Sequence, residues 1–127
     1  MISSIKTRNA PAAIGPYSQG VIAGDFYFLS GQIPTDPETG ALVDGDIESQ
    51  TMRVLENIKA ILSEVNLNFG DVVKTTVYLR NMDDFEAVNK IYGDHFNGSV
   101  LPARSAIGIE KLPKGSAIEI EVIAYKG

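Results

Sequence analysis

The chain contains no cysteine. That excludes disulfide frameworks, thiolate nucleophiles and sulfur-built zinc sites, and it fits a reducing compartment. Basic residues are scarce: 11 Lys and Arg stand against 16 Asp and Glu, giving a net charge of −5 and a pI near 4.7. This is the wrong sign for gripping phosphate backbones or anionic membranes, so neither nucleic acid nor a membrane is an expected partner. Long apolar runs are missing too. Met1 to Lys6 has no signal-peptide core, and nothing approaches the ~20 apolar residues of a membrane span, so a cytoplasmic location is expected. There is one histidine, His95, near the end of a helical pattern. With no second His and no Cys beside it, it reads as a surface or helix-end residue rather than a metal ligand or base. No phosphate-binding glycine loop, nucleophile elbow, dinucleotide fingerprint, internal repeat or linker is present.

What remains is an ordinary folded composition, 44% apolar and 21% charged over 127 residues, enough for one domain spanning 1–127 with one core. Residues 2 to 7 read as a first strand, and two prolines and a glycine make 9–17 a loop. Ser18 to Ala23 and Phe26 to Ser30 form a hairpin through Gly24-Asp25. From Ile47 to Val65 the period changes: Val54, Ile58, Ile61, Leu62 and Val65 share a helix face, with Asp46 as N-cap and Gly70 beyond the end. Val72 to Leu79 alternates as a strand with Val73, Thr75, Val77 and Leu79 on one face. A second helix, capped by Asp83 or Asp84, runs to about Phe96 with Phe85, Val88, Tyr92 and Phe96 as its stripe. Arg104 to Glu110 and Ala117 to Tyr125 are the last strands, joined by Leu112-Pro113-Lys114-Gly115 and expected to pair as an antiparallel hairpin. The order implies an α+β fold, with both helices on one face of a mixed sheet.

The final strand is unusual. Ile118, Ile120, Val122 and Ala124 suit a face under the helices, whereas Glu119, Glu121, Ile123 and Tyr125 make a face that is neither clean core nor clean surface. A second subunit covering this face, with the glutamates beside a wet cleft, explains the mixture; an open sheet with one polar face is the plainer alternative.

Chemistry has few carriers. Arg104 follows Pro102 at a strand entrance and shares its face with the small Ala106 and Gly108. Its guanidinium fork suits a small carboxylate, although a salt bridge to Glu119 or Glu121 across the hairpin needs only the same residues. In either hairpin register, one strand pair would place an anchor and a carboxylate base on a single face. Tyr17, held after Gly15-Pro16, offers a phenol to a ligand or merely anchors the loop. Ser30-Gly31 ends a strand where backbone groups can approach a ligand closely, as a plain turn also would. Asn89 falls on the second helix's inner stripe, where its amide needs partners.

The runs Ala10-Pro11-Ala12-Ala13-Ile14-Gly15-Pro16-Tyr17-Ser18-Gln19-Gly20, Leu29-Ser30-Gly31-Gln32-Ile33-Pro34, Val73-Lys74-Thr75-Thr76-Val77, Pro102-Ala103-Arg104-Ser105 and Ile118-Glu119-Ile120-Glu121-Val122-Ile123-Ala124 resemble, in order and spacing, the reactive intermediate deaminase A (Rid, YjgF-type) family. The resemblance implies a chorismate-mutase-like fold with a six-stranded sheet, assembled as a homotrimer with sites between subunits. It implies hydrolysis of 2-aminoacrylate and 2-iminobutyrate, intermediates released by pyridoxal-phosphate-dependent dehydratases, to 2-keto acids and ammonia without a cofactor or metal. Matched residue by residue, it makes Arg104 the substrate anchor and Glu119 the water-positioning group. Tyr17, Ser30, Gly31, Asn89 and backbone groups near Ala106 would complete the site. Ala106 stands where many members carry cysteine, a departure that leaves a water-based mechanism intact. Two other readings are a regulatory trimer that binds a small carboxylate or protein without turnover, and a ribonuclease or translation inhibitor, which the lone histidine and acidic balance disfavour.

Overall fold

The helix expected from 47 to 65 is the best-defined element of the computed structural model, which describes residues 1–127. Helix α1 spans Ile47–Glu64, and Asp46 caps it by accepting the Ser49 N–H at 2.8 Å. Val54, Ile58, Ile61 and Leu62 have no exposed surface. The helix ends at Glu64 with Val65 as its C-cap, and Gly70 lies beyond the end as expected. Asn66 takes a left-handed φ of 60°, and the Leu67 and Asn66 N–H groups return to the carbonyls of Leu62 and Ser63 in a Schellman closure. Gly70 belongs to a separate turn held by Asn68.

Around α1 lie β1 (Ile2–Ile5), β2 (Gly20–Ala23), β3 (Phe26–Gln32), β4 (Val72–Leu79), α2 (Phe85–His95), β5 (Ala103–Gly108) and β6 (Ile118–Tyr125). β1 is shorter than the expected 2–7, while β3 runs two residues beyond Ser30. β2 and β3 form the expected hairpin, with the left-handed φ of 61° taken by Gly24. Asp84 precedes α2 without a side-chain cap, and Asn81 instead accepts the Asp83 N–H.

The six strands form one mixed sheet in the order β1-β2-β3-β6-β4-β5. The expected β5–β6 hairpin is therefore wrong: β4 lies between them, parallel to β5 and antiparallel to β6. Burial explains the order. β6 contributes Ile118, Ile120, Val122 and Ala124, all at most 2% exposed, and takes a central place. β5 has four exposed positions of six and takes an edge.

Both helices cover one face, as expected. β6's four buried residues lie under them, and Tyr92 of α2 meets Thr75 of β4 on that same face at 2.7 Å between hydroxyls. A register shift between Val72 and Lys74 alters the expected pattern in β4: Val72, Thr75, Val77 and Leu79 are buried, while Val73 is 43% exposed. The opposite, outer face carries Phe26, Phe28, Tyr78, Glu119, Glu121, Ile123 and Tyr125.

Candidate active site

Arg104 enters β5 opposite Thr75 and so points toward the helix face. Phe85, Asn89 and Tyr92 are spaced four and three residues apart, which brings them onto one stripe of α2. The Arg104 guanidinium lies over the Phe85 and Tyr92 rings, 5.3 Å and 4.8 Å from their centroids, and Nη1 donates to Asn89 Oδ1 at 2.6 Å. Tyr92 is itself fixed by Thr75. Burial pushes its phenol up, while the Thr75 hydrogen bond and the Arg104 charge pull the other way. The aromatic shelf holds the fork by cation–π attraction, and its remaining donors can meet a carboxylate. Asn89 is exposed rather than inward-facing, and its partner is the arginine.

Ala106 follows on the same face opposite Val77, half-buried against the core. Gly108 leaves no free space beside it, because a Cβ there would lie 2.8 Å from Met82 Cγ.

Glu119 is on the other side of the sheet. Its strand partner is Tyr78, three residues beyond Thr75, so alternation places Glu119 and Arg104 on opposite faces. This overturns the expected single-face pairing of anchor and base, and with it the salt bridge across the last hairpin. Strand β3 bulges between Leu29 and Gln32, and Glu119 lies over that bulge. A Cβ on Gly31 would fall 2.8 Å from Glu119 Cδ. The missing side chain thus makes room for a carboxyl of the same protomer. Burial, and then the neighbouring charge of Glu121, push the Glu119 carboxyl above its ordinary value.

The bulge is tied to the 9–17 loop. Ser30 Oγ donates to the Ser18 carbonyl at 2.6 Å, and the Ser30 N–H donates to the Gln19 carbonyl at 2.9 Å. Tyr17, 55% exposed, closes a turn over Gly15, whose φ of 123° suits glycine. Gln19 is the anchor that residue-level reasoning missed. Its Oε1 accepts the Thr7 N–H at 2.7 Å, and Nε2 donates to the carbonyls of Thr7 (3.0 Å), Pro11 (2.8 Å) and Ala10 (3.3 Å). A buried amide beside a proline-rich loop was the available signal. Tyr78, whose hydroxyl donates to Glu121 Oε1 at 2.9 Å, was missed as well.

The residues thus form two groups: Arg104, Asn89 and Ala106 beside α2, and Glu119, Gly31, Ser30 and Tyr17 around the β3 bulge. A hollow of about 710 Å³ beneath the loop is lined by Tyr17, Ser18, Gln19, Lys6 and Arg8, and a smaller one of about 380 Å³ along α1 by Arg53, Lys59 and Glu64. Neither reaches Arg104 or Glu119. His95 is committed at the helix end, with Nδ1 2.9 Å from the Ile91 carbonyl. No three His, Asp or Glu side chains cluster as a metal site, and no helix is long and apolar enough to cross a membrane.

Comparison with known proteins places this geometry in context. The family described as endoribonuclease L-PSP matches residues 7–126. A RutC family protein of Pyrococcus horikoshii is 55% identical over 122 residues, covering 96% of each chain. The 2-iminobutanoate/2-iminopropanoate deaminase of Salmonella typhimurium is 48% identical over 128 residues, covering 99% of each. The crystal structure of a Rid family protein of Yersinia pestis superposes with a TM-score of 0.96 at 48% identity, covering 99% of this chain and 100% of that one.

Proposed function

Because the chain belongs to the endoribonuclease L-PSP family, alongside RutC and Rid proteins and a named iminobutanoate deaminase, we propose that it hydrolyses 2-imino and 2-enamino carboxylates to 2-keto acids and ammonia. The observation that carries this reading is Arg104: an exposed arginine whose guanidinium lies over the Phe85 and Tyr92 rings, with Asn89 as its protein partner. A small carboxylate is the complement of its free edge. A pyridoxal-phosphate-dependent dehydratase is the kind of enzyme that releases such substrates.

The enamine tautomerises to the imine, and Arg104 fixes the substrate carboxylate, which holds C2 for attack. Glu119 accepts a proton from water as its oxygen bonds to C2, and returns that proton to the nitrogen of the carbinolamine. The carbinolamine hydroxyl then gives its proton to Glu119, which passes it to the amino nitrogen as the C–N bond breaks, so that ammonia departs and the oxygen electrons close to the ketone. Its raised proton affinity makes Glu119 a better acceptor of the water's proton than an ordinary carboxylate. Free imines already hydrolyse in water, so a site of few residues supplies enough acceleration.

Anchor and base lie on opposite faces of one sheet and meet only if a second protomer supplies one of them. The edge carrying Arg104 must then dock against the outer sheet face of a neighbour. Two different surfaces joining head to tail close into a ring where the rotation between protomers permits, and the family resemblance implies a ring of three. The outer face suits such a contact: Phe26, Phe28 and Tyr125 are each 43–44% exposed in the protomer and cluster with ring centroids 5.1 and 6.4 Å apart.

Arg104→Ala and Glu119→Gln should each abolish acceleration of 2-iminobutyrate hydrolysis while leaving the oligomer intact. Mixed one to one and reassembled, the two inactive chains should recover about a quarter of the wild-type activity, because one site in four then receives both intact residues across a boundary. Retained activity in Arg104→Ala overturns the reaction, and absence of recovery overturns the shared site. Turnover also separates this reading from a ligand-binding regulator. The family's description names an endoribonuclease, but the acidic charge and the committed His95 argue against RNA chemistry.

A further inference from the structure

Tyr78 and Glu121 lie beside Glu119 and take no part in the steps above. Glu119 and Glu121 are two positions apart on β6 and point to the same face, so their long side chains compete for one strip of it. They are parted by different neighbours. Glu119 leans toward β3 and lies over Gly31. Glu121 leans toward β4 and accepts the Tyr78 hydroxyl at 2.9 Å. Tyr78 is the strand partner of Glu119, not of Glu121, so its hydroxyl reaches diagonally to the second carboxylate.

We propose, on the reading that Glu119 handles the attacking water, that Tyr78 is a positioning residue: it holds the Glu121 carboxylate on the β4 side, at a fixed place beside Glu119 and out of competition for the Gly31 bulge and the water there. The charge environment agrees. Glu121 is the second cause, after burial, of the raised Glu119 carboxyl. The hydrogen bond to Glu121 pushes the Tyr78 phenol above its ordinary 10.0, which keeps it a donor at neutral pH. The other titratable groups facing the pair are Lys74 of β4, whose Nζ donates to Ser105 Oγ at 3.2 Å, and Tyr125 of β6 itself. β3 offers only the uncharged Phe26 and Phe28 there, and β5 only Ser105 and Ile107.

The test is a ¹³C-carboxyl titration of Glu119 in the assembled full-length protein, alongside the pH profile of kcat/KM for 2-iminobutyrate. Glu121→Gln should lower the Glu119 midpoint by about half a pH unit or more, with the acid limb of activity following. Tyr78→Phe should displace the midpoint and reduce kcat with KM unchanged, and both effects should vanish in the Glu121→Gln background. A midpoint indifferent to Tyr78→Phe, or displaced equally in both backgrounds, overturns the proposal. If the titrations behave as stated while activity is indifferent to Glu119→Gln, the positioning pair stands and the catalytic reading of Glu119 falls.

Discussion

Glu119 sits under a tension that a purely structural residue would not keep. Its carboxyl lies against Gly31, and its partial burial, then the charge of the Glu121 carboxylate beside it, favour the protonated form. A carboxyl whose proton affinity rises on folding still holds its proton after the unfolded chain has released its own. This stabilisation is complete below the ordinary value of 4.5 and is lost as pH climbs through the raised folded value. Glu119→Gln should therefore raise Tm at about pH 7 and change it little at about pH 4, measured by scanning calorimetry at both. The same variant should lose hydrolysis, the opposition of stability and activity expected where a charge is kept for chemistry.

At the scale of elements, the bulge of β3 and the 9–17 loop act as one piece, because Gln19 and Ser30 carry the bonds between them. Gln19→Ala removes the partners of a buried N–H and of the carbonyls of Thr7, Ala10 and Pro11. The expected cost is about 2–3 kcal/mol, since each stranded group forfeits its desolvation. Thermal unfolding should show it, and limited proteolysis should find new cleavage within 9–17. Elements were also the scale most legible in the sequence. The stripe of α1, its Asp46 cap, the Gly24 hairpin and the alternation of β6 all depend on residues a few positions apart. Where reading failed at this scale, a local irregularity was the cause: the shift after Val72 exposed Val73.

For the whole molecule, the consequence is assembly. The outer face presents Phe26, Phe28 and Tyr125 at one end of β6 and Glu119 at the other, so the surface that carries the proposed base is the one proposed to receive a neighbour's Arg104. On the proposed shared site, the protein should run as an oligomer in size-exclusion chromatography with light scattering and Phe28→Glu as a monomer, with circular dichroism unchanged and the proposed hydrolysis lost although neither Arg104 nor Glu119 is altered. Full activity in a monomer would return the site to a single chain.

The residues by themselves determined which segments coil and which extend, the apolar side of each except at the start of β4, and Arg104 and the β6 glutamates as candidate carriers of chemistry, because periodicity and side-chain type are properties of near neighbours. Strand partners were decided elsewhere. β5 and β6 follow one another in the chain, yet the burial of Ile118, Ile120, Val122 and Ala124 carries β6 to a central position and leaves β5 beyond β4. Glu119 keeps the outer face that β6's own alternation gives it, whereas pairing of β5 beside β4, with Arg104 opposite Thr75, sends Arg104 to the helices. No pattern within the last two strands contains that pairing, since the competition is settled by the apolar surface of the whole sheet.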